Sequence, residues 1–429
     1  MIQLIRGFKD ILQPEASLWQ HIENEARRLF ESHGYREIRL PILEKTELFA
    51  RSIGETTDIV EKEMYTFADR SGDHLTLRPE ATASVVRAYI QHKLSGTEPI
   101  RKLYTIGPMF RRERPQKGRY RQFYQIDAEV FGISSPYADA QMILMLAKLM
   151  ERLGVTGISA HINSLGCPEC RPLYRENLKA FIHQHTEELC EDCLRRKDKN
   201  PLRVLDCKNE SCRKAMTEAP ELLDQLCTAC ADHFALVRRE LDRRNLDYKI
   251  NKRLVRGLDY YTRTAFELQT DMLGAQSAVA GGGRYDGLVK TLGGPDIPAI
   301  GFAIGFDRLV EVITQAKPPE TPAPSVFFIP LGESAMEKAF DFCLQLAEKS
   351  IEADTDYSGR SLKALMKRAD RLAAPFVVIM GDSELQAGEV SLKNMATGEQ
   401  RPVPLDSLVE ILSLEISGQE APESGTQDP

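Results

Sequence analysis

A proline-rich segment divides this 429-residue chain into two unequal parts. Residues 316–325 contain almost no apolar side chains and four prolines, namely Pro318, Pro319, Pro322 and Pro324. Proline fixes its backbone φ angle and has no backbone N–H, so such a run favours a stiff, extended linker over a packed element. We therefore predict that one domain ends by residue 315 and that a smaller one begins near residue 326.

The part that follows the linker predicts a small α/β domain over residues 326–416. The strand-like VFFIPL leads into a helix-like run over residues 334–349, and a second such run covers residues 361–372. The strand-like PFVVIM and EVSLKNM come next, which gives the alternation typical of an α/β domain. Residues 417–429 are polar and acidic with Pro and Gly, and they predict a disordered tail.

The first part of the chain predicts an antiparallel sheet, because long strand-like segments contain polar residues. A predicted helix over residues 15–33 ends at Gly34 and leads into the strand REIRLPIL. Further strands are predicted over residues 75–78, 101–112 and 121–131, and a further helix over residues 80–92. We assign residues 1–165 and 247–315 to the two halves of this domain.

Between these halves lies a segment that holds eight of the nine cysteines of the chain. They form four closely spaced pairs, namely Cys167 and Cys170, Cys190 and Cys193, Cys207 and Cys212, and Cys227 and Cys230. This spacing suits tetrahedral thiolate sites, and eight thiolates would fill two structural zinc sites with no catalytic role. Buried or free thiols are the alternative. We predict a separate Cys-rich insertion over residues 166–246.

The charge balance and the amino terminus limit the partners of the chain. Lys and Arg number 56 against 63 Asp and Glu, so the net charge of −7 creates no general attraction to nucleic acid, and binding must use local patches. The amino terminus lacks the apolar core of a signal peptide, and the longest apolar run, residues 142–150, is too short to span a bilayer. We predict a cytoplasmic protein that has no membrane partner.

A basic segment, FRRERPQKGRYRQF over residues 110–123, joins the two long strands. It sets one acid, Glu113, against six basic residues, namely Arg111, Arg112, Arg114, Lys117, Arg119 and Arg121. Guanidinium groups bind phosphate oxygens bidentately, and a hairpin holds them more rigidly than a loose tail does. The segment thus predicts a polyphosphate clamp, although a solvated basic hairpin would have the same charges.

The strand RQFYQIDAEVFG follows this hairpin and alternates in character. The two-residue period places Phe123, Gln125, Asp127, Glu129 and Phe131 on one face, opposite the core-facing Tyr124, Ile126, Ala128 and Val130. An aromatic plate, an amide and two carboxylates suit the stacking of a base and the hydrogen bonding of a small polar ligand. A merely solvated strand face would show the same alternation.

Three glycine-containing segments complete the set of candidate binding residues. PAIGFAIGFDRL predicts a strand that turns into a helix with Arg308 in its first turn, where anions are favoured, although a tight packing turn would look alike. VRGLDYYTR and AGGGRYDGL let backbone approach a ligand and offer side-chain donors. These donors are Arg256, Tyr260, Tyr261 and Tyr285.

Taken together and in this order, these segments resemble the signature motifs of class II aminoacyl-tRNA synthetases. Motif 1 is similar to the helix and strand that end at Pro41, motif 2 to residues 110–131 and motif 3 to residues 301–308. The peptides LVRGLDYYTRTAFE and GGGRYDGL resemble those of the histidyl-tRNA synthetase family. The resemblance begins at Arg6 and covers nearly the whole chain. It implies an α+β catalytic domain built on an antiparallel sheet, a Cys-rich insertion, a small α/β anticodon-binding domain, and a homodimer formed through motif 1.

The resemblance also implies a reaction and a role for each matching residue. The reaction is ATP-dependent attachment of L-histidine to tRNA(His) through histidyl-adenylate, with Mg²⁺ as cofactor and AMP and pyrophosphate as products. The implied histidine-binding residues are Glu80, Ala81, Thr82, Arg111, Gln125, Glu129, Arg256, Tyr260 and Tyr261, and the implied ATP-binding residues are Arg111, Glu113, Arg119, Phe123 and Arg308. Arg111, Arg256 and Arg308 are the implied catalytic arginines. Some relatives have Gly where this chain has Ala81.

The smaller domain carries a basic stripe that fits the same family. Arg360, Lys363, Lys367 and Arg371 recur at helical spacing, opposite a face of apolar residues. The stripe could follow tRNA phosphates near the anticodon, or it could be an ordinary solvated face.

Two other functional classes compete with this interpretation. One is the catalytically silent, synthetase-like regulatory subunit of ATP phosphoribosyltransferase, which typically lacks the carboxy-terminal domain predicted here. The other is a zinc-dependent nucleic-acid-binding protein, for which only the insertion argues; it leaves the polar strand face unexplained. The insertion of the resembled family does not in general need a metal ion.

Overall fold

The structure is a computed structural model that describes residues 1–54, 57–116, 118–273 and 278–418. Lys117 of the basic hairpin and residues 419–429 of the predicted tail lie outside these described residues. The chain forms two compact units, Met1–Pro319 and Glu320–Pro429. None of the described helices is both long enough and apolar enough to cross a membrane.

The first unit combines eleven strands with ten α-helices among its described residues. The strands are β1 Arg36–Glu37, β2 Leu43–Lys45, β3 Tyr65–Ala68, β4 His74–Leu77, β5 Arg101–Phe110, β6 Gln122–Phe131, β7 Ile158–Ser164, β8 Tyr248–Ile250, β9 Thr262–Thr270, β10 Ala278–Arg284 and β11 Ala299–Gly305. The helices are α1 Glu15–Ser32, α2 Thr46–Ile53, α3 Thr82–Gln91, α4 Pro136–Arg152, α5 Arg171–Gln184, α6 Glu191–Lys199, α7 Glu210–Ala215, α8 Thr228–Asp242, α9 Leu288–Thr291 and α10 Phe306–Ala316.

Shorter helical turns connect these elements. A π-helical turn covers Ile59–Glu63, and 3₁₀ turns cover Leu94–Gly96, Thr186–Glu188, Pro201–Val204, Met216–Glu218, Leu222–Gln225 and Asp271–Leu273.

An eight-stranded sheet in the order β1-β5-β6-β11-β10-β9-β7-β8 forms the frame of this unit. Its six central strands are antiparallel, and β1 and β8 join the two edges in parallel pairs. The predicted antiparallel sheet is therefore confirmed. Because β6 lies beside both β5 and β11, the segments before and after the insertion meet at the centre of one sheet.

The segment REIRLPIL, predicted as one strand, is divided in the structure. Its start forms β1 in the large sheet, and its end leads into β2 of a separate antiparallel sheet with order β2-β4-β3. The single-strand prediction is wrong because Arg78 takes up the intervening carbonyl groups: its guanidinium donates to the carbonyl oxygens of Leu40, at 3.2 Å, and Pro41, at 3.5 Å. Pro41 also has no backbone N–H for a ladder.

The core confirms the alternation predicted for β6. Ile126, Ala128 and Val130 are buried in one apolar cluster with residues of α1, α4, α8, α10 and β11. On the opposite face, Phe131 is buried in a second cluster, where its ring stacks on Tyr89 with centroids 4.3 Å apart. The remaining residues of that face are therefore free to build a site.

The Cys-rich insertion is helical and leaves the sheet between β7 and β8. It contains α5, α6, α7 and α8 with short 3₁₀ turns, and the chain returns as β8, parallel to β7. The second apolar cluster includes cysteines of the insertion together with Tyr261 and Tyr285. The insertion thus shares a core with the segments that were predicted to bind histidine.

The second unit is an α/β domain with helices packed on both faces of a mixed sheet, as predicted. Its strands are β12 Val326–Leu331, β13 Ala353–Thr355, β14 Phe376–Gly381, β15 Glu389–Asn394 and β16 Gln400–Pro404, in the sheet order β13-β12-β14-β15-β16. Its helices are α11 Glu333–Glu348, α12 Leu362–Arg371, α13 Asp382–Ala387 and α14 Leu408–Ser417, with a 3₁₀ turn at Leu405–Ser407. Ser417, the first residue of the predicted tail, ends α14.

Alternation along β12 explains the two packed faces of this domain. Val326 and Phe328 pack with α11 and α14, whereas Phe327 and Ile329 pack with Leu365 of α12. The opposite side of α12 leaves Lys363, Lys367 and Arg371 exposed, and Arg360 is exposed just before the helix. The predicted basic stripe is therefore present at the surface of this unit.

Candidate active site and cysteine clusters

A polar cavity of about 330 Å³ lies on the face of the large sheet that β6 presents. This volume is at the small end of the range of ~300–1,000 Å³ that is usual for ligand pockets. The cavity brings together most of the predicted site residues. Those that line it are Glu80, Thr82, Arg111, Glu113, Arg119, Phe123, Gln125, Arg256, Tyr260, Tyr261 and Arg308.

Strand β6 runs along the cavity and contributes several of its lining residues. Phe123, Gln125 and Asp127 line it, and they follow each other at steps of about 7 Å because alternate residues of a strand share a face. Tyr124, which was predicted to face the core, also lines the cavity. It lies near the hairpin end of β6, where its ring meets Trp19 edge to face with centroids 5.0 Å apart.

Glu129 continues this face but lies beneath the cavity, and only 1% of it is exposed. Its Oε1 accepts a hydrogen bond from the Thr82 hydroxyl at 2.6 Å, and its Oε2 accepts one from the Tyr285 hydroxyl at 2.5 Å. Burial raises the pKa of Glu129 to about 8, although the two hydroxyls partly oppose the shift. Glu129 is therefore the floor under Thr82 rather than a wall of the cavity.

The loop before α3 holds Glu80 at the start of that helix. Glu80 accepts hydrogen bonds from the backbone N–H groups of Thr82, at 2.8 Å, and Ala83, at 2.9 Å, and so caps two of the free donors of the helix. Burial raises the pKa of Glu80, while the Ala83 N–H and the charge of Arg111 oppose this shift. Ala81 is fully buried and is not among the residues that line the cavity.

The hairpin end of the cavity is cationic. Arg111 lies over the Phe123 ring, 5.1 Å from its centroid, and donates through Nε to the carbonyl oxygen of Pro79 at 2.9 Å. Arg119 pairs with Glu113 at 2.5 Å. Arg308, in the first turn of α10, donates to the carbonyl oxygen of Ala278 at 2.7 Å. Arg111 and Arg119 are the basic residues of the hairpin, within its described part, that line the cavity.

Arg256 lines the cavity and lies against a glycine. It pairs with Glu267 of β9, and its guanidinium carbon lies 5.6 Å from the centroid of the Tyr261 ring. A Cβ at Gly281 would lie 2.5 Å from Nη1 of Arg256, so a larger residue there would displace the guanidinium. The glycine run of β10 is therefore the surface on which Arg256 rests.

Three acidic residues that line the cavity, namely Asp127, Glu267 and Asp307, were not among the predicted site residues. Asp127 lines the cavity although only 1% of it is exposed, and within the described residues its Oδ2 has no hydrogen-bond partner. Burial, together with the charges of Glu129 and Glu80, raises the pKa of Asp127 well above its usual value. The alternation of β6 already placed Asp127 on this face. No sequence pattern identified Glu267 as a site residue.

The eight cysteines of the insertion form two groups of four. One group joins the first and last pairs, namely Cys167, Cys170, Cys227 and Cys230, and the other joins the two middle pairs, namely Cys190, Cys193, Cys207 and Cys212. Within each group the four sulfur atoms lie within 4.8 Å of one another. The sequence predicted the pairs but left open how they combine.

The sulfur geometry of both groups suits a tetrahedral metal ion. The Sγ atoms of Cys167 and Cys227 are 3.8 Å apart, and those of Cys190 and Cys207 are 3.7 Å apart. Zinc bound by four thiolates at about 2.3 Å requires sulfur separations of about 3.8 Å. The backbone N–H of Cys227 donates to Sγ of Cys170, and that of Cys190 donates to Sγ of Cys212, both at 3.1 Å. Such N–H donors stabilise thiolates.

Two family models match the two parts of this chain, and curated relatives match nearly all of it. The family model described as histidyl-tRNA synthetase matches residues 7–309, and the model of an anticodon binding domain matches residues 325–414. The histidine–tRNA ligase of Desulforapulum autotrophicum is 60% identical over 420 residues, which cover 97% of this chain and 99% of that protein. The histidine–tRNA ligase of Desulfatibacillum aliphaticivorans is 57% identical over 410 residues, which cover 96% and 98%.

A solved structure shows the same architecture. The crystal structure of apo histidyl-tRNA synthetase from S. aureus superposes with a TM-score of 0.81 at 38% identity, covering 96% of this chain and all of that one. The fold predicted from the sequence is thus found in one known family, and the matched family models cover the first unit and the smaller unit in turn. The chain belongs to the histidyl-tRNA synthetase family.

Proposed function

We infer that this chain attaches L-histidine to tRNA(His) in an ATP-dependent reaction that passes through histidyl-adenylate. The observation that carries this inference is the order of groups along β6. An aromatic ring under an arginine lies at one end, and a buried carboxylate held by two hydroxyls lies at the other. A nucleotide and a small polar amino acid can therefore lie end to end on one strand.

The ATP half of the site is the cationic hairpin end. We propose that adenine lies against Phe123, and that Arg111 and Arg308 bind the phosphates, because guanidinium groups match phosphate oxygens. Arg308 lies in the first turn of α10, where the helix dipole also favours anions, so the dipole and the guanidinium attract phosphate together. Glu113 holds Arg119 in place through their ion pair. Glu113 itself supplies a further contact to the nucleotide.

The histidine half lies at the other end of the cavity. We propose that Glu80, Thr82 and Gln125 receive the α-ammonium group and the amino-acid backbone, with Asp127 as a second carboxylate near that charge. Ala81 contributes through its backbone position at the start of α3. The imidazole lies between Tyr260, Tyr261 and the floor formed by Glu129. Two of the roughly four acceptor positions of the Glu129 carboxylate are used by hydroxyls, which leaves capacity for an imidazole N–H.

Catalysis of the first step is mainly positioning and electrostatic stabilisation. A carboxylate oxygen of histidine attacks the α-phosphorus in line, a new P–O bond forms, and the bond to the β-phosphate breaks to release pyrophosphate. Arg256 stabilises the charge that grows on the α-phosphate, and Arg111 and Arg308 stabilise the other oxygens. Glu267 and Gly281 keep Arg256 aligned.

Magnesium ions would enter this end of the cavity with ATP. Three carboxylates line the cavity near the arginines, namely Glu113, Glu267 and Asp307. Each is paired with a basic residue, so the protein offers Mg²⁺ few free ligands. Such a donor set fits Mg²⁺, which commonly binds through substrate phosphates, water and one or two carboxylates. The ion would neutralise charge on the leaving pyrophosphate.

The second step uses tRNA. A hydroxyl of the terminal adenosine attacks the carbonyl carbon of histidyl-adenylate, and AMP leaves. The smaller unit, which matches the anticodon binding domain, would hold the other end of the tRNA through Lys363, Lys367 and Arg371. These side chains are exposed on one side of α12, as contacts to phosphates require.

We further propose that the chain acts as a cytoplasmic homodimer and that each cysteine group binds one structural zinc ion. The dimer proposal rests on the match of residues 7–309 to the family and on the motif 1 resemblance. The zinc proposal rests on the tetrahedral sulfur spacing of both groups. In these sites zinc would hold the insertion together and would take no part in the reaction.

The decisive experiment is ATP–pyrophosphate exchange measured with each amino acid in turn. Exchange that depends on histidine alone supports the proposed function. A regulatory subunit without synthetase activity would show no exchange with any amino acid. Exchange that depends on another amino acid would reject the assignment of the imidazole site.

A further inference from the structure

The peptide that supplies Arg256, Tyr260 and Tyr261 has little structure of its own. Residues 251–261 form no helix and no strand between β8 and β9. Such a segment holds its shape only through hydrogen bonds and contacts with its surroundings. We call it the histidine peptide, and the groups that hold it therefore control the shape of the proposed histidine site.

Three side chains of the insertion bind residues 256–261 of the histidine peptide, the part that lines the cavity. Arg203 donates through Nη1 to the carbonyl oxygen of Arg256 at 3.2 Å, and Asn200 donates through Nδ2 to Oδ1 of Asp259 at 2.9 Å. Arg171 donates to the carbonyl oxygen of Tyr261 and, through Nε, to that of Leu165 at 3.0 Å. The contacts reach both ends of the segment that lines the cavity.

Each of these three donors is placed by a cysteine group. Arg171 directly follows Cys170, which is the N-cap residue of α5. Asn200 and Arg203 lie between Cys193 and Cys207, in the stretch where α6 passes into a 3₁₀ turn. Both ends of that stretch belong to one group of four sulfur atoms. A metal ion there would fix the ends of a short chain segment and with them the two donors.

The insertion also forms an ion pair with Asp58, the residue that precedes the π-helical turn. Arg196 of α6 donates to both carboxylate oxygens of Asp58, at 2.7 and 2.6 Å. Asp58 precedes Ile59, which lines the cavity. Asp259 in turn donates its backbone N–H to the carbonyl oxygen of Ile53 at 3.2 Å. Hydrogen bonds thus join the insertion to Asp58 and the histidine peptide to the end of α2.

We propose that the metal-bound Cys-rich insertion positions the histidine peptide, with Arg203, Asn200 and Arg171 as positioning residues for Arg256 and Tyr261. This inference rests on the proposed function, because it assumes that the cavity binds histidine. The insertion consists of four helices joined by short 3₁₀ turns, and the apolar cluster that it shares with the sheet buries five of its cysteines, namely Cys167, Cys170, Cys193, Cys212 and Cys230. Small folds of this kind commonly depend on a metal ion for stability. Loss of the metal ion would therefore weaken the hydrogen bonds from the insertion to the histidine peptide, although the metal ion itself does not touch the cavity.

The first test separates positioning from general stability. Arg203→Ala frees the peptide that also carries Tyr260 and Tyr261, so it should raise the KM for histidine in pyrophosphate exchange by about fivefold, the loss expected for one hydrogen bond, while the KM for ATP changes by less than about twofold. Because Arg256 acts on the α-phosphate in the proposed mechanism, kcat should fall as well. Arg203 also lies 3.5 Å from Asp206, so Asp206→Asn is the matched control that removes this ion pair and leaves the bond to Arg256 intact. Arg195→Ala, an exposed arginine of the same helix region, is the second control.

Both controls should keep wild-type KM values, and all three variants should keep the thermal midpoint of the wild type. Arg203→Lys, which retains one donor, should restore part of the histidine affinity. An Arg203→Ala enzyme whose KM for histidine equals that of the controls would overturn the proposal. Equal increases in the KM for histidine and for ATP would do the same, because they would indicate a general disturbance.

The second test does not depend on activity. Hydrogen exchange is followed by mass spectrometry in the zinc-loaded full chain and in Cys193→Ser, whose zinc content is measured in parallel. Loss of zinc from the cysteine group that contains Cys193 should speed hydrogen exchange in peptides covering residues 251–261 by at least about tenfold. Exchange in peptides of α1 should stay unchanged. If the insertion loses protection while residues 251–261 keep theirs, the proposal is wrong. This result stands even if the chain activates an amino acid other than histidine.

Discussion

Glu129 and Gly301 face each other across the neighbouring strands β6 and β11 so closely that a Cβ on Gly301 would lie 1.5 Å from Oε2 of Glu129. The absence of a side chain at Gly301 is therefore what allows a carboxylate to lie beneath the cavity. In the proposed site, residues 301–308 thus contribute Gly301 beneath the histidine half in addition to Arg308 at the nucleotide half.

Gly301→Ala should disturb both the packing and the histidine site. Its methyl group must displace the Glu129 carboxylate, and overpacking of this kind costs ~1–3 kcal/mol in the free energy of unfolding. We expect denaturant unfolding to show this loss, and pyrophosphate exchange to show a higher KM for histidine. Gly287→Ala is the control, since a Cβ there would meet nothing within 4 Å. Equal stability and equal KM in both variants would show that the Glu129 carboxylate does not lie against Gly301.

Glu129→Ala should reduce the use of histidine far more than the use of ATP. Removal of a buried acceptor for the imidazole N–H should raise the KM for histidine and lower kcat/KM by at least ~2 kcal/mol. The measurement is pyrophosphate exchange with each substrate varied in turn. If ATP binding weakens and histidine selectivity survives, Glu129 serves only to hold Thr82 and Tyr285, and the imidazole site lies elsewhere.

The pH dependence of histidine activation should report the ionisation of Glu129. Burial raises the pKa of this carboxyl to about 8, so the ionised acceptor form is lost as the pH falls through that value. Free imidazole is already largely neutral above pH ~6.5. We therefore expect kcat/KM for histidine to rise between pH ~6.5 and ~8 in the wild type. Glu129→Gln cannot ionise, and an equally steep rise in that variant would assign the titration to another group.

Arg256→Ala should nearly abolish histidine-dependent exchange. Loss of one contact that stabilises charge in the transition state typically costs about 3 kcal/mol, or roughly a hundredfold in rate. The change also leaves Glu267 without its ion-pair partner. The double variant Arg256→Ala/Glu267→Gln removes that unpaired charge, and we expect it to stay inactive. Recovery of activity in the double variant would show that the unpaired Glu267 carboxylate caused the loss of activity in Arg256→Ala.

Metal analysis of the purified chain should find up to about two zinc ions per chain, one for each cysteine group. The grouping makes a sharper test with paired variants. Cys167→Ser/Cys230→Ser changes one group and should lose one ion, whereas Cys167→Ser/Cys193→Ser changes both and should lose two. Plasma mass spectrometry gives the count. A chain without zinc would mean that the cysteines are ordinary buried thiols, and equal losses in both variants would reject the grouping.

Much of the fold and of the site could be predicted from the sequence because the signals are local. The two-residue period of β6 placed Phe123, Gln125 and Glu129 on one face, and this depends only on strand geometry. The strand-to-helix turn before Arg308 was predicted for the same reason. The boundary of the smaller unit followed from a run of prolines, whose effect on the backbone is a property of the residues themselves.

The depth of each side chain and the partners of distant segments were decided by the tertiary structure. Glu129 became a floor because Gly301, Thr82 and Tyr285 meet around it, and these residues come from three distant segments. The division of REIRLPIL depended on Arg78, whose position no local pattern gives.

The cysteines show the same limit most clearly. Four spaced pairs could be identified in the sequence, but the path of the helices between them decided that the outer pairs form one group and the inner pairs the other. Likewise, no pattern in residues 171–203 announced the donors to Arg256 and Tyr261. Spacing along a chain is fixed by covalent geometry, whereas contact between segments is fixed by packing in three dimensions. The sequence by itself therefore determined the family and the chemical groups, and the tertiary structure decided which groups act together.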